Sequence, residues 1–260
     1  MNTQPGAPEQ TPSSPPIPSV FVGVGGPRQM EDEVWASELR TWAESMTRPE
    51  AILLFSAHWL RNPVTLGATK PVPLVYDYYN FPAQYYEVQY PAPPAPALAD
   101  RFVELLGDKL PIYASDRGLD HGAFIGLMGM YPDASVPVLE VSIPTYDPEM
   151  LFEIGRCLSP LRNEGVMIMG AGLLTHSGES PEANRQFDTW VVDTLEKRDT
   201  ELLFQYREIA PGVQQALPTV EHFVPLLVAY GAAFDGAGEI ITGVEAFSNG
   251  RGSRRSLQFN

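Results

Sequence analysis

The run Ala51-Ile-Leu-Leu-Phe55, closed by Ser56-Ala57-His58-Trp59, restricts the fold more than any other stretch of the chain. Consecutive apolar residues leave no polar face for solvent, so the segment reads as a strand buried on both sides, as in a parallel sheet covered by helices. In open α/β sheets ligands gather beyond the carboxyl ends of such strands, and His58 falls at that end. A single histidine there is most simply a core residue with its hydrogen bonds satisfied. The chain holds only four histidines, however, and the others have similar settings. His121 sits in the turn Gly118-Leu-Asp-His-Gly122, His176 follows the strand-like run Gly165–Gly170, and His222 opens the apolar, helix-like stretch from Glu221. Four imidazoles at element ends point to a site, with either metal-binding or acid/base chemistry.

The rest of the chain fits around that strand. Residues 1–18 are rich in Pro, Ser and Gln without apolar periodicity, which predicts a disordered or polyproline tail. The folded domain is expected over residues 19–260. It starts with a short strand, Ser19-Val-Phe-Val22, and the turn Gly23-Val-Gly-Gly-Pro27, whose spacing matches no phosphate-binding loop. Trp35, Leu39, Trp42 and Met46 recur at helical spacing behind the acidic cluster Glu31-Asp-Glu33. Residues 60–96 are loop-rich and aromatic, either a β-excursion over the sheet or an aromatic wall for a planar substrate. Helices are predicted over 97–107, from Pro148 to about Leu161 with Asp147 as cap, over 184–207 and over 221–233. Strands are predicted over 135–142 and 165–170, with an edge strand at Ser256-Leu-Gln-Phe259. Strands alternating with helices make an α/β fold, a single domain with a central, mostly parallel sheet flanked by helices.

A net charge of −15 over 260 residues argues against nucleic acid and anionic membranes as partners. The single cysteine, Cys157, rules out an intramolecular disulfide and any Cys-based metal cluster. With neither a signal peptide nor a transmembrane-length apolar run, the chain reads as cytoplasmic, a monomer or homodimer acting on a small molecule.

Several segments together resemble the class III extradiol ring-cleaving dioxygenases, in their single-chain 4,5-DOPA dioxygenase branch. They are Phe55-Ser-Ala-His58-Trp59, Val75-Tyr-Asp-Tyr-Tyr-Asn-Phe-Pro82, Tyr90-Pro-Ala-Pro93, Arg117-Gly-Leu-Asp-His-Gly122, Met130-Tyr-Pro-Asp-Ala134, Gly170-Ala-Gly172, Thr175-His176 and Glu221-His-Phe-Val-Pro-Leu226. They occur in the family's order. The resemblance implies a non-haem Fe(II), or Zn(II) in its place, that binds a catechol before the ring is cut beside the diol. By the same resemblance His58 and His222 match metal ligands, His176 the acid/base histidine and His121 a second active-site histidine. Tyr76, Asp77, Tyr78 and Trp59 are expected to contact the substrate.

The chain departs from the family pattern where that pattern has its first metal ligand, a histidine in a His-Gly-x-Pro turn. Val24 occupies the position, and valine cannot coordinate, so metal is expected to bind weakly or not at all. Leu217 stands before Pro218 where the family usually has histidine, and Ser177-Gly178 follows His176 where Asn-Leu is usual. Three readings follow. A divergent dioxygenase with an altered metal centre would draw a third donor from elsewhere, with Gln29 or Glu31 as candidates. A metal-independent lyase, isomerase or hydrolase on the same scaffold would use the histidines as acid/base groups, with Asp120 or Glu221 orienting one of them. A non-catalytic relative would keep the pocket alone. No nucleophile elbow surrounds Ser56.

Overall fold

The computed structural model describes residues 15–176, 180–236, 238–245, 247–248 and 252–260. The strands are β1 (Ser19–Gly23), β2 (Ala51–Leu60), β3 (Val64–Leu66), β4 (Ile112–Ala114), β5 (Val138–Ile143), β6 (Val166–Gly172), β7 (Ile240–Val244), β8 (Phe247–Ser248), β9 (Gly252–Ser253) and β10 (Ser256–Phe259). The helices are α1 (Glu33–Ser45), α2 (Pro96–Leu106), α3 (His121–Met130), α4 (Pro148–Leu158), α5 (Pro160–Asn163), α6 (Pro181–Glu196), α7 (Thr200–Phe204), α8 (Tyr206–Ile209), α9 (Val213–Ala216) and α10 (Pro225–Ala233). Eight strands form one sheet in the order β4-β3-β5-β2-β6-β1-β10-β7, and β8 and β9 pair separately. The centre, β5-β2-β6-β1, is parallel throughout. None of the described helices is long and apolar enough to cross a membrane.

Strand alternation sends successive side chains into two cores. Phe21, Leu53, Phe55, Leu139, Val141 and Ile168 pack on one face with α2, α4 and α10. Val20, Val22, Ile52, Leu54, Met167 and Met169 pack on the other with α1 and α3. The apolar run that predicted a doubly covered strand is β2, central in the sheet. Asp147 caps α4 by accepting the Met150 N–H at 2.8 Å, behind Pro148 at the first helical position.

Several elements differ from expectation. Ile17, placed in the tail by composition, is buried, and its backbone pairs with the backbone and side chain of Arg162. The expected tail otherwise lies almost wholly outside the described residues. The predicted helix over 184–207 is divided, because Arg198 takes a left-handed φ of 56° and Asp199 caps a new helix, α7. The helix expected from 221 starts at Pro225, whose missing N–H and fixed φ suit a first turn; His222 therefore lies in the turn before it. Ser256–Phe259 is an interior strand rather than an edge, because β7, unseen in the sequence, pairs along its free side. His121 opens a buried helix, α3, where only a turn was expected. That helix is apolar on every side, so it carries no amphipathic signal to read.

Candidate active site

The carboxyl ends of β1, β2 and β6 lie along one edge of the parallel centre, and the four histidines come to that edge from separate elements. The β2 ladder with β6 ends at Ser56, and with β5 it breaks after Phe55 and resumes only at Leu60. His58 stands in that interruption. His121 is the first residue of α3, whose N-cap Asp120 accepts the Ala123 N–H and the Ser56 hydroxyl, the latter at 2.7 Å. Ser56 thus braces the helix start rather than serving as a nucleophile. His222 is held to the end of β6 by its carbonyl, which accepts the Leu173 N–H at 2.8 Å. Gly172 permits this approach, since a β-carbon there would stand 2.1 Å from the His222 carbonyl oxygen. His176 follows β6 and is exposed, its backbone N–H bonded to the Ala216 carbonyl.

The imidazoles form a row. Ring centroids are 3.9 Å apart between His121 and His58, 5.0 Å between His58 and His222, and 3.8 Å between His222 and His176, the last pair stacked at 19°. A carboxylate flanks each end: His58, Asp77 and His121 bring donor atoms within 4.8 Å of one another, and so do His176, Glu221 and His222. Asp77 was expected to touch substrate. Its Oδ1 lies 2.7 Å from Nδ1 of His121 and accepts that residue's backbone N–H at 3.1 Å, while its Oδ2 is 3.4 Å from Nδ1 of His58. Asp77 thus bonds an imidazole where Asp120 was expected to, since Asp120 bonds Ser56, Arg117 and the helix backbone, while Glu221 stays beside His176 and His222.

Burial sets the electrostatics of the row. Desolvation holds His58 below its ordinary value, helped by the neighbouring His121 charge. It does the same for His176 against a weaker opposing pull from Glu221, and it pushes His222 down to about 2. Burial raises Asp77, but hydrogen bonds and charge from His121 outweigh it and hold the carboxyl below its usual range. Burial thus favours the neutral forms of His58 and His222, the protonation state a metal ligand needs. Nδ1 of buried His222 has no hydrogen-bond partner among the described residues. His58 and His222, with rings 5.0 Å apart and this Nδ1 left without a partner, are two imidazole donors of the kind a non-haem divalent metal takes, so the donor chemistry fits one.

Val24 sits at the end of β1, its N–H bonded to the Gly172 carbonyl and its side chain buried. One of its methyls lies 2.9 Å from where a β-carbon on Gly126 would stand. Gly126 is one turn along α3 from Gly122, which faces Ser56 and His58, so Val24 packs on α3 one helical turn from the position that meets His58. The suggested third donors are engaged elsewhere. Gln29 spans the glycine turn, bonding Gly25 N–H and Gly23 O, and Glu31 accepts the Tyr85 hydroxyl.

The aromatic segment forms a wall. Tyr78 meets His121 edge-on at 5.4 Å and packs with Tyr76, Phe81 and Tyr86. Its hydroxyl donates to the Tyr85 carbonyl and that of Tyr76 to the Val88 carbonyl, so both phenols are committed to the loop. Trp59 is buried beside Gly67 with the Arg117 guanidinium 5.1 Å over its ring. Its burial and these contacts make Trp59 a packing residue. A cleft of about 530 Å³, lined by Gly25, Arg28, Phe81, Leu173, Thr175 and Arg254, opens beyond β1 and β6, within the size range of small-molecule sites. Ser177 and Gly178 lie outside the described residues. Sequence reading also missed Glu140, buried on β5, whose Oε2 accepts the Asp120 N–H at 3.0 Å.

The family described as the catalytic LigB subunit of aromatic ring-opening dioxygenase matches residues 14–251. The chain belongs to this family, the class III extradiol dioxygenases. Among the relatives of this LigB-type chain, a 4,5-DOPA dioxygenase extradiol of Beta vulgaris is 37% identical over 82% of this chain and 85% of its own length. One of Escherichia coli K12 is 35% identical over 95% of this chain and 96% of its own. The crystal structure of an uncharacterized Escherichia coli K12 protein superposes with a TM-score of 0.79 at 32% identity, covering 94% of this chain and all of that one. The expected α/β fold and the family resemblance both hold.

Proposed function

We propose that this LigB-type chain opens the ring of a catecholic or closely related aromatic small molecule at a non-haem metal centre altered at Val24. The observation that carries the reading is the row of four imidazoles, drawn from separate elements to one sheet edge and flanked by Asp77 and Glu221. His58 and His222 would hold the metal, both kept neutral by burial. When bound, Fe(II) supplies Lewis acidity and the redox capacity of ring opening, and Zn(II) supplies Lewis acidity alone. His176, exposed on one face and stacked on His222 by the other, takes the proton of a substrate hydroxyl. An imidazole that is neutral at pH 7 can serve as that base. His121, braced by Asp77, stabilises charge that develops on oxygen. Tyr76 and Tyr78 supply ring faces rather than hydroxyl contacts.

The test is metal content after anaerobic Fe(II) loading, followed by oxygen uptake with a panel of catechols. Near-stoichiometric iron with catechol-dependent uptake is expected. Absence of both would overturn the reading in favour of metal-independent acid/base chemistry, which one observation favours: the Val24 side chain is packed against α3 rather than offering a donor.

A further inference from the structure

We infer that Asp188, buried in α6, is a positioning residue that sets where the His176 ring stands, acting through Ser253 and Thr175. The three side chains are polar yet sealed from solvent, at 1%, 0% and 1% exposure, and their groups meet in series. Ser253 N–H donates to the Thr175 hydroxyl at 2.7 Å. The Ser253 hydroxyl donates to Oδ1 of Asp188. The Arg255 guanidinium closes on the same carboxylate, its Nε 3.1 Å from Oδ1 and its Nη2 2.7 Å from Oδ2. Arg255 N–H then returns to the Ser253 hydroxyl at 3.2 Å. Strand β9 is thereby held between α6 and Thr175, the residue before His176. The second tether leads to the same helix. His176 N–H bonds the Ala216 carbonyl at 2.8 Å, at the end of α9. That helix starts from Gly212, which lies so close to α6 that a β-carbon there would stand 2.7 Å from the Ala183 carbonyl oxygen.

The network serves placement more than stability. A buried ion pair is near break-even against an apolar pair of the same volume, because desolvation offsets the attraction. An apolar pair could not accept the Ser253 O–H, and a hydrogen bond fixes direction as packing does not. His176 needs such fixing, since its ring is exposed and rests by one face on His222, with 3.8 Å between centroids. A group that moves a proton works only while held in near-attack geometry, and a shift of about 1 Å can cost about 10²-fold in rate. The placement stands on these bonds alone; that it serves proton transfer rests on the ring-opening reading.

The experiment uses the full-length protein, first without metal. The His176 protons lie over the His222 ring, whose ring current moves their resonances upfield, and with four histidines in the chain a His176→Gln spectrum assigns them. Thr175→Val removes the acceptor of the Ser253 N–H, and Thr175→Ser keeps it. The His176 resonances should move downfield in the valine variant and stay in place in the serine variant. Asp188→Asn should move them as valine does, because its amide N–H₂ turns against Arg255. If Asp188→Asn does not fold, the Thr175 pair decides alone. Where catechol-dependent oxygen uptake is present, kcat should fall about 10²-fold in Thr175→Val with KM and metal content unchanged. Unmoved His176 resonances in folded Thr175→Val or folded Asp188→Asn overturn the inference, as does a serine variant that behaves like valine. Moved resonances in a protein that shows no catechol-dependent uptake would uphold the inference and defeat the ring-opening reading.

Discussion

His176 lies flat on His222, with 3.8 Å between ring centroids and 19° between planes. The stack leaves one ring buried and the other exposed, which separates a ligand-holding role from a proton-moving one. His176→Ala should therefore lower turnover by about 10²–10⁴, the usual contribution of a positioned acid/base group, while metal content stays at the wild-type level. Steady-state kinetics alongside metal analysis checks this, and full activity in the variant would remove His176 from the reaction.

Val24 packs against α3 at Gly126 and offers no donor atom. Val24→His should tighten zinc or iron binding by about tenfold or more, the lower end of what outer partners of a metal already contribute. Competition against a chelator measures it. The larger side chain also meets α3 at Gly126, where the valine methyl is already close, so a modest loss of thermal stability should accompany the gain. Unchanged affinity would mean the β1 turn does not face the metal.

Gly172 carries the approach of the His222 turn to β6. A β-carbon there would stand 2.1 Å from the His222 carbonyl oxygen, a backbone atom with little room to move. Gly172→Ala should destabilise the fold by about 1–3 kcal/mol, as overpacking does, and displace His222. Denaturant unfolding reads the first effect and metal affinity the second.

Glu140 is fully buried beside Asp120, and desolvation, then the Asp120 charge, raise its carboxyl well above the model-compound value of 4.5. The folded protein thus keeps a proton there that the unfolded chain releases. With more protons bound in the folded state, stability falls as pH rises above about 4.5 and stops falling once the folded carboxyl has ionised. Glu140→Gln keeps the shape and the acceptor for the Asp120 N–H without an ionisable proton. Its stability should lose this decline and match or exceed the wild type at neutral pH. A variant with the same pH slope as the wild type would show that Glu140 is not the group responsible. Thermal melts across a pH series decide it.

What could be read from the chain follows from how locally each signal is encoded. Ala51–Phe55 declares a doubly buried strand because every residue in it is apolar, and Asp147-Pro148 declares a helix start because cap and first turn are neighbours. The four histidines were legible as a set because no others compete with them. Helix α3 was not legible, since a helix apolar all round has no periodic face. Nor was β10 as an interior strand, because whether a strand is an edge depends on a partner distant in the fold, here β7.

The sequence by itself determined the fold class, the family and the residues able to do chemistry, because those depend on composition, local pattern and residue type. Tertiary structure alone decided how those residues pair. It put Asp77 rather than Asp120 behind the imidazoles, turned Trp59 to a packing position, committed Gln29 and Glu31 to local bonds, and left Val24 against α3. Pairings of this kind are set by which faces of distant segments meet, and distances of 3–4 Å across a sheet edge leave no trace in the order of residues along the chain.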